Sequence, residues 1–313
     1  MEMRAGCTAA VGLVLFFLGL WQITRSFRPA DLQIRLEGCQ NWWRGALVGT
    51  VLTAVSQSSS AVTVLLMAAV SARQLSLRAA FGILLGANIG TTATAWLAQL
   101  GQLPGAVGLV LPALLCLLLI WQTRRCRAAL GLALLLFGMH TMTTGAQALL
   151  QGQGTELLQQ ALQTPWRGGL WGAGVTAVLQ SSSVTVGMLQ AAVSSGALSM
   201  AAAAPVVAGN NLGTCVTALL AAIPAARGGR QLAGLHLLFN LFAAAVLTAL
   251  WSLGLGQWLG RIPATSTGVA AFHTLFNLLP ALGLLCAQSA VAFCRARRYD
   301  RGNLHQRQKE RVL

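Results

Sequence analysis

A short polar motif that occurs twice constrains this chain more than any other feature. Positions 55–60 read Val-Ser-Gln-Ser-Ser-Ser, and positions 178–183, 123 residues later, read Val-Leu-Gln-Ser-Ser-Ser. The register continues without a gap when 44–95 is laid on 167–218, with 26 identities in 52 aligned positions. Because a shared bias toward alanine and leucine would produce far fewer identities, the chain contains an internal repeat.

The composition indicates a membrane protein. Hydrophobic residues make up 56% of the chain and charged residues 9%, and the mean hydropathy is +0.67. The net charge of +15 comes from 21 Lys and Arg that lie in short connections and in the tail. We interpret this charge as a positive-inside topology signal and predict no nucleic-acid partner. The seven cysteines form no CxxC pair, so no transition-metal site is predicted.

The repeat predicts two units followed by an extra span and a tail. Ahead of the motif, Gly12–Gly19 resembles Gly131–Gly138, so the similarity extends to the first helix of each unit. The predicted bounds are 8–121 and 128–255 for the units, 46–72 and 168–195 for the motif segments, 76–100 and 198–223 for the helices after them, 264–294 for the extra C-terminal span and 295–313 for a basic cytoplasmic tail.

The distribution of positive charge indicates whether the motif segments cross the membrane. If both turn back as hairpins, there are seven full spans, with 18 Lys and Arg on one side and 3 on the other. If both cross, the split is 14 against 7, so the positive-inside rule favours hairpins. Three spans per unit then insert the two units in opposite orientations.

We therefore predict an all-α polytopic membrane protein with two inverted repeats, each with a re-entrant helical hairpin and an interrupted helix. This architecture is typical of secondary transporters. The charge bias predicts the inner membrane, a cytoplasmic C-terminus and a periplasmic N-terminus.

Serines at the tip of a hairpin suit an anion. Ser58, Ser59 and Ser60 can cap the second arm of the first hairpin, and the second motif repeats the arrangement from the opposite side. The free backbone N–H groups and the positive dipole end of each arm attract a small anion. The residues predicted to contact it are Gln57, Ser58, Ser59, Ser60, Gln180, Ser181, Ser182 and Ser183.

A second repeated element suits a cation. Positions 86–92 read Gly-Ala-Asn-Ile-Gly-Thr-Thr, and positions 209–215 read Gly-Asn-Asn-Leu-Gly-Thr-Cys. Two glycines can loosen a helix and free carbonyl oxygens, which with amide and hydroxyl oxygens are suitable ligands for Na⁺. All six acidic residues lie outside the apolar spans, which argues against proton coupling. Asn240 and Asn277, each four residues after a histidine, could line the site or bond between helices.

The paired Gln-Ser-Ser-Ser segments, each followed by Asn-x-Gly-Thr and later by Phe-Asn helices, resemble the sodium–phosphate cotransporter family, bacterial relatives of the type II cotransporters. The resemblance covers roughly residues 8–294 and implies sodium-driven movement of inorganic phosphate. It places phosphate and sodium contacts on the two Gln-Ser-Ser-Ser motifs. Cys215 departs from the repeat, where a hydroxyl is expected. The implied further sodium contacts are Asn88, Thr91, Thr92, Asn210, Asn211 and Thr214.

The sequence thus predicts a transporter that is not an enzyme and moves phosphate with sodium by alternating access through a lipid bilayer. Sodium acts as the coupling ion, and no other cofactor is expected. Two alternatives remain open at this point. One is a transporter for another small oxyanion such as sulfate or arsenate. The other is an intramembrane lipid-pyrophosphate phosphatase, although the hairpins lack the acidic residues and Arg that such hydrolysis would use.

Overall fold

A computed structural model describes residues 2–26, 41–100, 123–149, 156, 159–160, 162 and 164–310, and the regular structure within these ranges is α-helical. The predicted span at 105–121 lies outside them. The helices are α1 (Glu2–Ser26), α2 (Trp42–Ser56), α3 (Ser59–Ser71), α4 (Leu77–Gly90), α5 (Thr92–Leu100), α6 (Thr123–Leu149), α7 (Pro165–Leu179), α8 (Ser182–Ser194), α9 (Met200–Ala222), α10 (Arg227–Ser252), α11 (Leu255–Arg261) and α12 (Ser266–Glu310).

Four helical stretches in the described ranges are long and apolar enough to cross a membrane. They are Leu77–Gln99, which joins α4 to α5, then Met200–Ala222, Arg227–Ser252 and Ser266–Val291. Each has at least 23 residues, and about 20 residues of helix span the hydrocarbon core of a bilayer. These stretches correspond to four of the predicted spans, and α1 and α6 form helices at two others. The all-α polytopic fold class is confirmed.

The first motif segment folds as a helical hairpin, α2 followed by α3. Helix α2 packs along α4 in the same direction: a side chain at Gly82 would meet Trp42, one at Gly86 would meet Ala46, and one at Gly90 would meet Thr50. Only residues 72–76 join α3 to α4, and five residues reach at most about 18 Å. Helix α3 must therefore end near the level at which α2 begins, so the chain reverses at its tip.

The second motif segment repeats this packing with α7, α8 and α9. The backbone of Gly169 faces Gly209, and Ala173 faces Gly213. Each pair is the first-unit pair displaced by 123 positions, and residues 195–199 again make a short connection from α8 to α9. The internal repeat is thus a repeat of helix packing as well as of sequence.

Glycine makes these parallel contacts close enough for backbone to touch backbone. A Cβ atom at Gly86 would overlap the Ala46 carbonyl oxygen, and one at Gly209 would overlap the Gly169 carbonyl oxygen. Small residues drive helix association in membranes because they allow such approach and the dispersion contacts that accompany it. The same glycines that mark the repeat therefore hold the first arm of each hairpin on the following helix.

The first helices of the two units, α1 and α6, pack against each other in antiparallel directions. Gly12 faces the backbone of Gly138, and Gly19 faces that of Gly131. Because Gly12–Gly19 resembles Gly131–Gly138, the first glycine of each segment meets the last glycine of the other, which is a local two-fold arrangement. Phe16 of α1 is fully buried in this contact and packs with Leu135 and Leu136.

The helices after the hairpins are more regular than predicted. In the first unit a single residue, Thr91, separates α4 from α5, and its φ of −60° and ψ of −26° remain helical. In the second unit α9 runs unbroken from Met200 to Ala222, so the predicted interruption is not observed there. The Thr214 hydroxyl donates to the Asn211 carbonyl at 2.6 Å, which uses this oxygen without opening the helix. Helix α12 likewise continues to Glu310, through much of the predicted tail.

Two glycines on α7 provide a matched test of the glycine packing. A Cβ at Gly172 would overlap the Val206 carbonyl oxygen, whereas a Cβ at Gly174 would meet nothing within 4 Å. We expect Gly172→Ala to lower stability, because overpacking costs about 1–3 kcal/mol. We expect Gly174→Ala to be neutral or stabilising by up to about 1 kcal/mol, since alanine has the higher helix propensity. Thermal unfolding of the detergent-solubilised variants measures both, and equal melting temperatures would contradict the packing account.

Candidate functional site

The first hairpin tip is built by Gln57 and the serines that follow it. Gln57 ends α2 in the left-handed conformation, with φ of 56° and ψ of 26°, which turns the chain. Ser58 is the N-cap of α3, and its hydroxyl accepts a hydrogen bond from the Ala61 N–H at 3.2 Å. Ser59 and Ser60 then occupy the first turn of α3, where the backbone N–H groups have no helical acceptor.

The second tip has the same construction. Gln180 has φ of 49° and ψ of 29°, and the hydroxyl of Ser181 caps α8 by accepting from the Val184 N–H at 3.4 Å. Ser182 and Ser183 lie in the first turn of α8 and are 7% and 9% exposed. In each triplet one serine caps the helix, and the other two lie in its first turn, at the positive end of the helix dipole.

Thr94 on α5 joins the two tips. Its hydroxyl donates to Gln57 Oε1 at 2.6 Å and accepts from the Ser183 hydroxyl at 3.0 Å. The side-chain amide of Gln57 also donates to the Ala54 carbonyl, which holds Gln57 in place. Residues from both predicted motifs therefore lie within two hydrogen bonds of each other, although 126 positions separate Gln57 from Ser183.

The first predicted cation element lies at the junction of α4 and α5. The Thr91 hydroxyl donates to the Asn88 carbonyl at 2.6 Å, and the Thr92 hydroxyl donates to the Ile89 carbonyl at 2.8 Å. Asn88 is 6% exposed, and its side-chain Nδ2 has no hydrogen-bond partner in the described part of the chain. The threonine hydroxyls thus bond to their own helix, while the Asn88 amide remains available.

The second predicted cation element, on α9, has more side-chain partners. Thr176 Oγ1 donates to Asn210 Oδ1 at 2.6 Å and lies 2.9 Å from Thr185 Oγ1. Asn211 Nδ2 donates to Asn277 Oδ1 on α12 at 2.7 Å. Asn210 is 1% exposed, and its Nδ2 is unpaired within the described residues. This element is therefore tied both to its own hairpin and to the C-terminal helix.

Asn240, Asn277 and Cys215 surround the turn at Asn211. Asn277 contacts Asn211 directly, whereas Asn240 donates to Cys215 Sγ at 3.4 Å and to the His236 carbonyl of its own helix at 3.1 Å. Cys215 donates weakly to the Asn211 carbonyl at 3.6 Å. The thiol thus takes the place of the hydroxyl that the repeat predicts, and Asn240 serves as a contact between helices.

Sequence reasoning missed three hydroxyls of this network: Thr94, Thr176 and Thr185. A usable signal existed for Thr94, which is identical to Thr217 in the repeat, and for Thr176, which is identical to Thr53. Thr185 has no such signal, because the matching position is Val62. The second unit consequently carries a hydroxyl cluster that the first unit lacks.

The arrangement offers hydrogen bonds without formal charge. Serine hydroxyls and the backbone N–H groups at helix N-termini can donate hydrogen bonds to an anion, and amide and carbonyl oxygens can coordinate a hard cation. The Nδ2 atoms of Asn88 and Asn210 are buried hydrogen-bond donors without a partner in the described part of the chain, and such groups are rare in folded proteins. No cluster of three His, Cys, Asp or Glu that could hold a metal ion occurs among the described residues.

A crevice elsewhere in the molecule is lined mainly by apolar residues and not by the polar residues of the two motifs. It has a volume of about 570 Å³ and lies between α7, α9 and α10. Its walls include Trp166, Leu170, Leu212 and Trp251, and it contains none of the serines or asparagines of the two motifs. The polar site at the tips is thus distinct from the apolar crevice.

Comparison with known proteins identifies the family of the chain. The family model described as Na+/Pi-cotransporter matches twice, over residues 15–136 and 134–259. No solved structure matches the chain. The two matches cover the two repeat units, so each unit alone carries the family pattern.

Three curated relatives show the range of similarity. "Uncharacterized protein YqeW" of Bacillus subtilis (strain 168) is 30% identical over 86% of this chain and 91% of its own length. "Putative inorganic phosphate export protein YjbB" of Escherichia coli O157:H7 is 27% identical over 79% of this chain and 46% of its own length. Human "Sodium-dependent phosphate transport protein 2C" is 39% identical over 39% of this chain, and the match spans 23% of the human protein. The chain belongs to the Na+/Pi-cotransporter family.

Proposed function

We propose that the protein is a secondary transporter that couples sodium to the movement of inorganic phosphate across the inner membrane. The observation that carries this proposal is the meeting of the two hairpin tips through Thr94, with Gln57 on one side and Ser183 on the other. Family membership supports phosphate as the transported anion, and the geometry supplies a way to bind it.

Phosphate binds between the two serine-bearing tips in this proposal. The positive ends of α3 and α8 lie at the tips, where the N–H groups of Ser59, Ser60, Ser182 and Ser183 have no helical acceptor. A helix N-terminus favours an anion through these donors and through its dipole. Two such ends supply enough donors for an ion with several acceptor oxygens, without a buried Arg or Lys.

Sodium binds beside the phosphate at the two asparagine elements. The carbonyl and amide oxygens around Asn88 and Asn211 are ligands of the kind that hard cations prefer. Bringing an anion into a cell against an inside-negative potential costs about 2.3 kcal/mol per charge for each 100 mV. Sodium that moves with the phosphate offsets this cost, and no acidic side chain is required at the site.

Alternating access follows from the opposite orientation of the two units. The antiparallel packing of α1 on α6, with matching glycines exchanged, supports a two-fold relation in the membrane plane. Hairpins that return to the side they entered then expose their tips to opposite sides, as in other transporters with inverted repeats. We assign the C-terminus to the cytoplasm and the N-terminus to the periplasm on the charge bias of the sequence.

The first prediction concerns transport by purified protein in liposomes. We expect an inward sodium gradient to drive accumulation of labelled phosphate, and a potassium gradient to drive none. The double variant Ser59→Ala/Ser182→Ala should lose at least about tenfold in rate, because it removes two donors and each hydrogen bond to a charged group contributes about 1.5–3 kcal/mol.

Ser252→Ala is the matched control, since Ser252 is an exposed residue at the end of α10 whose hydroxyl bonds to the Ala249 carbonyl. It should transport at the wild-type rate. Accumulation of sulfate or arsenate in place of phosphate would contradict the assignment of phosphate as the substrate. Release of phosphate from a lipid pyrophosphate would contradict the assignment of the protein as a transporter.

A second prediction separates the two asparagines near α9. Asn277→Ala removes the partner of Asn211, and we expect the sodium concentration for half-maximal transport to rise several-fold, as for one lost buried hydrogen bond. Asn240→Ala removes bonds to Cys215 and to its own helix only, so its sodium dependence should stay close to wild type. Sodium titration of initial uptake rates measures both, and equal shifts would contradict the assignment.

A further inference from the structure

The hydrogen bonds at the two tips are not symmetric, although the residues are. Thr94 bonds to Gln57 of its own unit and to Ser183 of the other unit. The repeat maps these three residues onto Thr217, Gln180 and Ser60, and each pair is identical in type. One copy of the triad, Gln57–Thr94–Ser183, is therefore assembled in this structure.

The counterpart triad is not assembled. The Thr217 hydroxyl is buried and has no hydrogen-bond partner among the described residues. Gln180 is exposed, whereas Gln57 is only partly exposed. Val178, next to the second tip, is 82% exposed, while its repeat counterpart Val55 is 44% exposed. Val178 and Gln180 at the second tip are thus more exposed than their counterparts at the first tip, and the bridging residue Thr217 is unpaired among the described residues.

The helices that carry the two triads pack in the same pairwise arrangement. Helix α8 contacts α5, which carries Thr94, and α3 contacts α9, which carries Thr217. Each returning arm therefore lies against the bridging helix of the other unit. A modest movement of one hairpin relative to the other could exchange which contact is close enough for a hydrogen bond.

We propose that Thr94 and Thr217 are alternating latches, so that the Gln180–Thr217–Ser60 bridge forms in the opposite transport state when the Gln57–Thr94–Ser183 bridge opens. An unpaired buried hydroxyl raises the free energy of a state. The opposite state gains the hydrogen bonds of Thr217 and loses those of Thr94, so the two changes in free energy offset each other. A transporter needs two states of nearly equal free energy, because it has to alternate between opening to one side of the membrane and opening to the other. This proposal rests on the proposed alternating-access function and adds the residues that hold its two states.

The test follows the two states with reporter cysteines and does not depend on transport. Val178→Cys and Val55→Cys are introduced separately into the full chain, in a background that keeps only the buried Cys215 and in which the other six native cysteines are replaced by serine. The rate of labelling by a hydrophilic maleimide is measured on the purified protein in phosphate-free sodium buffer. Thr94→Val, Thr217→Val and the double variant are compared in each background.

Thr217→Val removes the latch of the opposite state, so we expect the ratio of Val178→Cys to Val55→Cys labelling to rise about fivefold, the effect of one hydrogen bond. Thr94→Val should lower the ratio by a similar factor, and the double variant should return it toward wild type. Thr248→Val should leave it unchanged, because the Thr248 hydroxyl is bonded within α10 to the Ala244 carbonyl.

Shifts in the same direction for both latch variants, or no shift for Thr217→Val in a variant that melts like wild type, would overturn the latch proposal. Phosphate accumulation in liposomes is measured in parallel on the wild type. Opposite labelling shifts without sodium-driven accumulation would reject the proposed function but keep the two-state exchange. Accumulation without opposite shifts would reject the latches alone.

Discussion

The contact between two helix backbones at glycine governs the rest of this structure. Gly86 on α4 touches the backbone at Ala46 of α2, and Gly209 on α9 touches the backbone at Gly169 of α7. These contacts hold the first arm of each motif segment parallel to the helix that follows the hairpin. The second arm is joined to that following helix by only five residues, so it has to end near the level at which the first arm begins. The chain therefore reverses between the two arms, and the Gln-Ser-Ser-Ser motif lies at the turn.

The polar motifs are stabilised in apolar surroundings because several of their groups have defined partners. Ser58 and Ser181 cap the returning helices, and Thr94 pairs the Gln57 side chain with Ser183. Burying such groups without hydrogen bonds would cost several kcal/mol in a medium without water. Other buried groups, including the Asn88 and Asn210 Nδ2 atoms, have no hydrogen-bond partner among the described residues.

Much of the hairpin geometry follows from sequence patterns that act locally. The serines of each motif predict a helix cap at the start of the second arm, and in the structure Ser58 caps α3 and Ser181 caps α8. The predicted break in α9 is not observed: glycine permits a loosened helix, but α9 is unbroken, and the Thr214 hydroxyl and Cys215 thiol bond back to the Asn211 carbonyl within it. Glycine content alone does not decide whether a helix is interrupted or unbroken, since the Asn211 carbonyl oxygen can be used in either case.

The sequence by itself determined that this chain is helical, lies in a membrane, repeats once and carries a doubled anion-type motif, because composition, periodicity and capping are properties of neighbouring residues. Only the tertiary structure decided that Ser183 meets Thr94, that Asn277 and not Asn240 reaches Asn211, and that the two tips differ in their bonding. Those contacts join residues far apart in the chain. Their formation depends on how whole helices pack, and identical repeat sequences are compatible with either arrangement.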